Sequence, residues 1–315
     1  MLKFWEMSYE IAKLEERDWP PLLKEINDPP KQLYYAGAVP DPDQKLLCVV
    51  GSRKYSSYGK EACEYLISGL RGQPITIVSG LALGIDSIAH RSALKNKLQT
   101  IAVPGSGIDT RVLHPQSHVE LAKEIVYSGS TVMSEFDPKS KSATWNFPQR
   151  NRIMAGMSHA ILIIEAELKS GTLITGRFAS EYNRELLVVP GSIFAPNSEG
   201  PNMLLRLGAT VIRGPEDILD SLDLNTSSGL TSRLPPDSKS FRAGPLSKGK
   251  QINAPRNYSD CSPNEIKILE FLTTPLERDE LVRRSGLKTS EIQTLLTLLE
   301  LKGHIHEHLG EIGLV

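Results

Sequence analysis

Seven short, strongly apolar runs constrain the fold of this chain more than any other feature of its sequence. Each run is rich in valine and isoleucine, and helical segments separate one run from the next. The runs are residues 46–52, 75–80, 99–105, 130–135, 159–166, 185–191 and 209–214. Runs that are apolar on both faces and alternate with helices are typical of buried parallel strands. The sequence therefore predicts an α/β fold with a doubly wound, mostly parallel sheet.

Two segments that begin at predicted strand ends, residues 79–105 and 170–191, share a plan. Each opens with Ser-Gly, runs through an Ala-containing helix and closes with a strand that ends in Val-Pro-Gly. We expect each Ser-Gly to lie where a loop enters a helix, so that free backbone N–H groups and the positive end of the helix dipole face outwards. Tight turns and helix caps would use the same residues. Two copies on one sheet edge nevertheless favour a pair of anion sites, which suits a ligand with several phosphates.

A third loop, residues 51–62, follows the first apolar run. Its single glycine does not make the dinucleotide-binding fingerprint, and the loop is not a Walker loop either. It places Ser52 and Arg53 at the carboxyl end of the strand, where the arginine could grip a phosphate with two hydrogen bonds. An arginine held in a surface salt bridge is the alternative interpretation.

The stretch 145–158, WNFPQRNRIMAGMS, combines arginines with aromatic rings directly ahead of the fifth run. We expect Arg150 and Arg152 in the loop or first helical turn before that strand. Single-stranded nucleic acid needs such a mixture, because phosphates require charge and unstacked bases require an aromatic surface. Phe147 and Arg150 are predicted to contact the ligand, while Asn151 and Arg152 support the loop. The alternative is that the aromatic residues belong to the core.

Catalytic and metal chemistry have little support in the sequence. The acids near strand ends are Asp86, Glu135 and Glu165, and no histidine pairs with a serine or cysteine at a recognisable spacing. Asp86 is interpreted as a structural hydrogen-bonding residue. The alternating histidines of 304–308 suit a wing strand and are weak support for a metal site. We therefore expect no enzymatic activity, no cofactor and no metal.

Charge and cysteine usage narrow the class further. The formal net charge of −1 gives no overall basic signal, so any nucleic-acid surface must be local. The three cysteines, Cys48, Cys63 and Cys261, show no paired spacing, which fits a reduced, cytoplasmic protein. No apolar run approaches the ~18 residues needed to span a bilayer, and the acidic N-terminus is typical of neither a signal nor a transit peptide. We expect no association with a membrane.

Composition divides the chain into four parts. Residues 1–44 form a Pro-rich lead-in that is expected to precede the sheet, and residues 45–222 form the sheet domain. Residues 223–258 are rich in Ser, Pro, Gly and Asn and locally basic, which predicts a flexible linker. Residues 259–315 contain three short amphipathic helices followed by a hairpin, the pattern of a winged-helix domain.

The third helix of the winged-helix segment is unusual for a DNA-binding element. It carries Glu291, Gln293, Thr294 and Thr297 where a helix that reads a DNA groove would carry arginine or lysine. This composition favours contact with protein over contact with DNA, although both remain open.

These motifs together resemble those of the DprA/Smf family of DNA-processing proteins. The resemblance covers roughly residues 18–222 and rests, in order, on GSRKYSSYG, SGLALGIDSIAH, IAVPGSGID, SEFDP, NFPQRNRIMAGMS, EAELKSGTLITGRFA, VVPGS and GPNMLLRLGA. The tail is similar to the small winged-helix domain of many members. The resemblance implies an extended Rossmann-like domain that binds single-stranded DNA, dimerises and helps to load the RecA recombinase during natural transformation. It implies no enzymatic activity.

The resemblance, combined with the loops described above, also gives a set of expected DNA-binding residues. They are Gly51, Ser52, Arg53, Ser79, Gly80, Lys141, Phe147, Arg150, Arg152, Ser170, Gly171 and Thr172. The chain departs from the family pattern in three places. Gly-Ser-Arg stands where Gly-Thr-Arg is frequent. Thr144 replaces a frequent lysine, for which Lys139 and Lys141 are the nearest substitutes. The first forty residues are also too short for the helical domain with which many members begin.

Two other functional classes remain open, and so does the dimer surface. Cytokinin-activating phosphoribohydrolases resemble this fold, but they carry catalytic glutamates soon after a Pro-Gly-Gly-x-Gly-Thr loop, whereas here the first glutamate, Glu181, comes late. A winged-helix transcription factor is disfavoured by the acidic third helix. Residues 200–219 are the expected dimer surface, because Met203, Leu204 and Leu207 recur on one helical face. Packing in the core would explain the same recurrence.

Overall fold

The computed structural model describes residues 8–224, 262–272, 276–277, 289–302, 304–308 and 311–314, together with the single residues 281, 283 and 285. The chain divides into two units, residues 1–234 and residues 235–315.

The first unit is built on a nine-stranded sheet. Its strands are β1 (Ala12–Leu14), β2 (Leu33–Gly37), β3 (Lys45–Val50), β4 (Ile75–Ser79), β5 (Gln99–Ala102), β6 (Thr131–Ser134), β7 (Ala160–Ile163), β8 (Glu185–Val188) and β9 (Thr210–Val211). Their order across the sheet is β1-β2-β6-β5-β4-β3-β7-β8-β9. Strands β3 to β9 are parallel to their neighbours in this range, and β1 and β2 are antiparallel. The direction of winding reverses at β3, so the boundary between β3 and β7 is the topological switch point.

Seven α-helices accompany this sheet within residues 8–224. They are α1 (Ser57–Gly69), α2 (Ile85–Lys95), α3 (Val119–Tyr127), α4 (Asn146–Met157), α5 (Thr172–Glu181), α6 (Pro196–Arg206) and α7 (Pro215–Ser221). Helix α1 starts after Ser56, whose side chain accepts a hydrogen bond from the backbone N–H of Gly59. Helices α6 and α7 start with a proline, which has no N–H to leave unpaired. In the part of the chain that is described, no helix has the length and apolar character needed to cross a bilayer.

The sheet is covered on both faces, which explains the apolar runs. In β3, Leu47 and Val49 belong to one buried cluster with residues of α1 and α2. The alternate residues Leu46 and Val50 belong to a second buried cluster with residues of α4 and α5. A strand buried on both sides is apolar at nearly every position. The predicted doubly wound, mostly parallel sheet is confirmed, and the seven predicted runs correspond to β3 to β9.

The prediction that residues 1–44 precede the sheet is wrong, because two of its strands come from them. Strand β2 pairs with β6, with Tyr34 opposite Ser134, and β1 pairs with β2. Trp19 and Leu23 of the same segment are buried in the cluster below α4. Antiparallel pairing with a strand far along the chain leaves no local pattern to recognise. The linker predicted over 223–258 lies outside the described residues except for 223 and 224.

The segment around Arg150 also differs from its prediction. Arg150 and Arg152 lie in the interior of α4 and not in a loop or a first turn. Nine residues of this helix are buried, and they include the polar residues Asn151 and Arg152. A helix that is buried on most sides has no clean amphipathic period, so its polar residues resemble those of a loop.

The second unit contains two helices and a small antiparallel sheet in its described residues. The elements are α8 (Pro263–Phe271), α9 (Thr289–Leu301), β10 (Leu276–Glu277), β11 (Ile305–His308) and β12 (Glu311–Leu314), with β12 between β10 and β11. A capping box of Ser262 and Glu265 starts α8. Ile268, Ile292 and Ile305 share one buried cluster. These elements match the predicted first helix, third helix and hairpin, while most of the predicted second helix lies outside the described residues.

Candidate nucleic-acid interface

A cleft of about 490 Å³ opens at the switch point, between the loop that follows β3 and the loop that follows β7. Its lining residues come from these two loops and from the helices beside them. They are Val50 to Lys54, Ala82, Asp86, Phe147, Arg150, Asn151, Met154, Glu167, Lys169 to Thr172 and Thr175. Open parallel sheets bind ligands at this place because the strand ends and the helix N-termini converge there. This cavity is called the cleft.

The cleft brings together most of the predicted site residues. Its lining includes Gly51, Ser52, Arg53, Phe147, Arg150, Ser170, Gly171 and Thr172. Gly80 lines a small adjoining cavity of about 40 Å³ that shares Arg53, Phe147 and Arg150 with the cleft. The remaining three predicted residues, Ser79, Lys141 and Arg152, line neither cavity.

Arg53 and Phe147 form the aromatic wall of the cleft. Arg53 is exposed, and its Cζ atom lies 5.4 Å from the centroid of the Phe147 ring. The ring of His114 lies on Phe147 as well, with 5.8 Å between the two centroids. A Cβ atom at Gly105 would collide with the Phe147 ring, so the glycine makes room for it. A guanidinium over an aromatic face is a favourable pair, and here it presents a cation and a ring to the same space.

Arg150 lies at the floor of the cleft and is bonded to the protein itself. Its side chain is buried, and its Nη1 atom donates a hydrogen bond to the carbonyl oxygen of Val103. Burial lowers the pKa of Arg150, and the nearby carboxylate of Asp86 opposes that shift. A contact between Arg150 and a ligand would therefore have to compete with the hydrogen bond to Val103 and the attraction of Asp86.

Asp86 is the buried acid whose charge acts on Arg150. Its Oδ2 atom accepts hydrogen bonds from the backbone N–H groups of Gly80, at 3.1 Å, and Ala82, at 3.4 Å. Burial raises its pKa, while Arg150 and the two N–H groups act in the opposite direction. These contacts confirm Asp86 as a structural hydrogen-bonding residue.

The prediction that the first Ser-Gly, Ser79 and Gly80, lies at a helix N-terminus is wrong. Ser79 is the last residue of β4, and α2 starts only at Ile85. The Ser79 hydroxyl is fully buried and donates a hydrogen bond to the carbonyl oxygen of Val49 at 2.7 Å. Asp86 also accepts a hydrogen bond from the Gly80 N–H. The Ser79 hydroxyl and the Gly80 N–H are therefore both bonded inside the protein.

The second Ser-Gly, at Ser170 and Gly171, directly precedes α5 as predicted. Gly171 is the N-cap, with a φ of −59°, and no atom lies within 4 Å of the position that a Cβ would take. The Ser170 side chain accepts a hydrogen bond from the N–H of Thr172, whose hydroxyl donates to the carbonyl oxygen of Gly51 at 3.2 Å. The last bond joins the loops that follow β3 and β7 across the switch point.

Arg152 has a supporting position. It is buried in an ion pair with Glu135, and its Nε atom lies 3.3 Å from a carboxylate oxygen of Asp28. It therefore joins α4 to the end of β6 and to the lead-in. Lys141 and Thr144 are exposed in the segment before α4, so their placement leaves both side chains in solvent.

Comparison with known proteins assigns the family. The family model described as "DNA recombination-mediator protein A" matches residues 10–223, and a second one, "DprA winged helix domain", matches residues 253–311. The chain belongs to the DprA/Smf family of DNA-processing proteins. Its curated relatives include Protein Smf of Escherichia coli (strain K12), 34% identical over 95% of this chain and 75% of that protein. DNA processing protein DprA of Bacillus subtilis (strain 168) is 35% identical over 69% of this chain and 72% of that protein.

Two solved DprA structures are similar to the sheet unit. An X-ray structure of DprA from Streptococcus pneumoniae has a TM-score of 0.61 and 36% identity, and the match covers 67% of this chain and 74% of that one. A structure of DprA from Helicobacter pylori has a TM-score of 0.60 and 29% identity, and the match covers 68% of this chain and 96% of that one. The second structure concerns the single-stranded DNA binding mode of the Helicobacter pylori protein. Together with the winged-helix match, these two similarities confirm the predicted fold class, a mostly parallel α/β sheet with a C-terminal winged-helix domain.

Sequence reasoning missed two cations of the cleft, Lys54 and Lys169. Both line it, and both are exposed. Lys54 directly follows Arg53, and Lys169 directly precedes Ser170, so a search for cations next to the predicted loop residues would have found them. Among the described residues, no group of three or more His, Cys, Asp or Glu side chains could hold a metal ion.

Proposed function

We propose that this chain binds single-stranded DNA in the cleft, without sequence specificity, and helps to load it with the RecA recombinase. The observation that carries the proposal is the convergence of exposed cations, an aromatic wall and a helix N-terminus at the switch point. The family assignment supports it, and so does the DNA-binding mode described for the relative from Helicobacter pylori.

The charge of the cleft favours a polyanion. Arg53, Lys54 and Lys169 are exposed cations of its lining, against one exposed carboxylate, Glu167. Asp86 is buried, and its charge acts on Arg150 more strongly than on Arg53. The N-terminus of α5 adds the positive end of a helix dipole at Gly171. These groups together suit a ligand with more than one phosphate.

The aromatic wall favours a single strand over a duplex. Phe147 is half-buried at the side of the cleft with Arg53 over its ring, so only a base that has left its stack can reach it. Stacking on an aromatic ring accepts every base, because all bases have a π face. Within residues 8–224 the cleft is lined by loops and by buried residues of α2, α4 and α5, and not by an exposed helix that could project into a groove. Sequence tolerance is therefore expected.

The alternative of a phosphoribohydrolase receives no support from the geometry. Glu181, the first glutamate after the second Ser-Gly, is the last residue of α5. The cleft lies at the first residue of that helix, and nine steps of about 1.5 Å place Glu181 about 13 Å away along the axis. A carboxylate at that distance cannot act on a sugar held in the cleft. We propose that the chain is not an enzyme.

A homodimer completes the proposal, with α6 and β9 as its surface. Leu204 is buried in the core, but Met203 is 38% exposed, Leu207 74% and Val211 43%. These three residues form an apolar face that a second copy could cover. In the second unit Glu291 of α9 is exposed, which supports contact with a protein such as the recombinase over contact with DNA.

Fluorescence polarisation tests the binding proposal directly. We expect single strands of different sequence to bind with similar affinity, and a blunt duplex of the same length and a mononucleotide to bind more weakly. Equal or tighter binding of the duplex would exclude the aromatic wall as a base platform. Preference for the mononucleotide would favour a nucleotide-processing enzyme instead.

The same assay locates the site through Arg53. Loss of one phosphate contact lowers the slope of log K against log salt by about 0.7 for a single strand, so Arg53→Ala should weaken binding of all sequences and flatten the salt dependence. Arg53→Lys should recover part of the loss, since it keeps the charge but not the two-pronged geometry. Thr144→Lys should steepen the slope.

The control is Arg71→Ala, because Arg71 is exposed just beyond the C-terminal end of α1, at the opposite edge of the sheet. This variant should leave both affinity and slope unchanged. Unchanged affinity and slope for Arg53→Ala would remove Arg53 from the site.

A further inference from the structure

The loop that follows β8 carries two apolar side chains that are almost fully in solvent. Phe194 is 89% exposed and Ile193 is 80% exposed, the highest values among the large apolar side chains of the described residues. The loop follows the carboxyl end of its strand, on the edge of the sheet where the cleft opens. Exposed neighbouring apolar side chains of this size mark a binding surface more often than a single exposed leucine does.

The base of this loop is fixed by hydrogen bonds from two helices. The Tyr58 hydroxyl of α1 donates to the carbonyl oxygen of Pro190 at 2.7 Å, and the Asn202 amide of α6 donates to the carbonyl oxygen of Gly191 at 3.2 Å. At the tip, the N–H of Phe194 donates to the Ser192 hydroxyl at 3.2 Å. A loop that is held in this way loses little conformational freedom when a ligand contacts its tip.

The loop lies next to the cleft through Asn197. The side-chain amide of Asn197 donates a hydrogen bond to the carbonyl oxygen of Lys54 at 2.8 Å. The backbone carbonyl oxygen of Asn197 accepts one from the N–H of Ala166, also at 2.8 Å. Phe194 is three residues before Asn197, so their Cα atoms are at most about 11 Å apart. Phe194 is therefore close to Lys54 at the edge of the cleft, within reach of a strand that extends beyond it.

Ile193 and Phe194, called the aromatic rim, are separate from the apolar face formed by Met203, Leu207 and Val211. Leu207 follows the last residue of α6, whereas Phe194 precedes its first residue, Pro196. A helix of 11 residues is about 16 Å long, so the two surfaces lie at opposite ends of it. Glu199 in the first turn disfavours a phosphate beside the rim, which leaves uncharged bases as the part of a nucleic acid that fits there.

We propose that Phe194, with Ile193 beside it, is a second stacking platform for a base of the single strand that leaves the cleft past Lys54. The inference rests on the proposed function and adds an exit path to it. The strand would place one base on Phe147 inside the cleft and a later base on Phe194 at the rim. The aromatic ring, and not apolar character alone, is the feature that a base requires.

Substitutions at Phe194, combined with oligonucleotides of two lengths, test the inference. Phe194→Ala should weaken binding of a thymidine oligonucleotide of about twelve nucleotides by about five- to tenfold, the lower part of the range for one stacked base. A dinucleotide, which is too short to occupy both the cleft and Phe194, should bind equally well to both proteins. The salt dependence should not change, because no charge is removed. Phe194→Trp should restore affinity and lose tryptophan fluorescence when the longer oligonucleotide binds, while Phe194→Leu should not restore it.

Two controls separate this inference from its alternatives. Val39→Ala, which shortens an exposed apolar side chain just after β2 at the opposite edge of the sheet, should leave the affinity for the longer oligonucleotide unchanged. Sedimentation of Phe194→Ala should give the wild-type oligomeric state, and dissociation would instead assign Phe194 to a protein interface and overturn the inference. Equal affinity of Phe194→Ala and wild type for the longer strand would also overturn it, as would full rescue by leucine.

The failure of this inference and the failure of the proposed function give different results. If wild type binds single strands and Arg53→Ala weakens that binding while Phe194→Ala does not, only the rim is excluded. If wild type does not bind single strands at all, both are overturned.

Discussion

The loop after β4 and the loop after β7 both contain Ser-Gly, but only the second one faces the cleft with its polar groups. In the first loop the Ser79 hydroxyl is bonded to Val49 and the Gly80 N–H to Asp86. In the second loop Gly171 is exposed at the start of α5, with no atom within 4 Å of a would-be Cβ. The same dipeptide is therefore bonded inside the protein in the loop after β4 and lines the cleft in the loop after β7.

The first turns of the two following helices explain the difference. Helix α2 carries Asp86 in its first turn, whereas the first turn of α5 has no acidic residue. A carboxylate at a helix N-terminus satisfies the dipole and the free N–H groups. Helix α2 is therefore already supplied with an anion by its own sequence, and α5 is left to accept one from a ligand. This difference supports the proposed anion site at the second Ser-Gly loop and disfavours one at the first.

The largest effect that would sharpen this comparison is expected at Arg150, below the first loop. Arg150 is buried, donates a hydrogen bond to the Val103 carbonyl oxygen and compensates the buried charge of Asp86. Leaving a buried charge without its compensating partner costs about 3–5 kcal/mol, so Arg150→Ala should lower the free energy of unfolding by that amount in urea denaturation. Replacing both partners, as in Asp86→Leu with Arg150→Met, should recover a large part of the stability. Lost DNA binding with unchanged stability would instead make Arg150 a direct ligand contact, as its sequence context suggested.

A matched pair of glycine substitutions has the next largest effect. A Cβ at Gly80 would collide with the Arg150 guanidinium and the Asp86 carboxylate, so Gly80→Ala should cost about 1–3 kcal/mol of stability. At Gly171 the same substitution meets no atom at a φ that alanine readily adopts, so stability should be unchanged or rise by about 0.4–1 kcal/mol. Affinity of Gly171→Ala for single strands should nevertheless fall about tenfold, because the methyl group keeps a phosphate about 1.4 kcal/mol short of its best contact.

Urea denaturation and polarisation of both glycine variants separate the two roles. If Gly171→Ala is less stable than Gly80→Ala, or if it binds DNA like wild type, the loop after β7 does not contact the DNA.

The serines should show the same contrast with the smallest effects. Ser79→Ala removes a buried hydrogen bond and should cost about 1 kcal/mol of stability. Ser170 is half-buried in the lining of the cleft, so Ser170→Ala should change stability by less than about 0.5 kcal/mol and weaken DNA binding by about two- to fivefold, as expected for one hydrogen bond. Thermal unfolding with a parallel binding titration measures both, and a reversal of the two results would contradict the assignment.

The sheet and the loops at its edge could be predicted because their signals are local. Strands β3 to β9 are continuous apolar runs, and the loops after β3 and β7 contain Arg53 and Gly171 next to these runs. The parallel order then places those loops together, since strand ends meet at one edge. Eight of the twelve predicted site residues line the cleft for this reason.

The remaining features depend on contacts between distant residues. Arg150 resembles a free donor until Asp86, 64 positions earlier, is placed beside it, and Arg152 does so until Glu135 is. The three-residue strand β1 has no recognisable alternation, and its pairing depends on β2. Phe194 gave no signal either, because an exposed phenylalanine and a buried one look the same in a sequence.

The position of β3 at the centre of the sheet also determines when a growing chain can acquire its site. Leu47 in β3 pairs with Ala160 in β7, 113 positions further along. At about 5–20 residues per second, a ribosome needs roughly 6 to 23 seconds to make that stretch. During this time the edge of β3 that will receive β7 has unpaired N–H and C=O groups, which invite aberrant association. The cleft itself is absent until β7 closes that edge and α5 follows, so a nascent chain would lack the proposed DNA site until about residue 175 has been made.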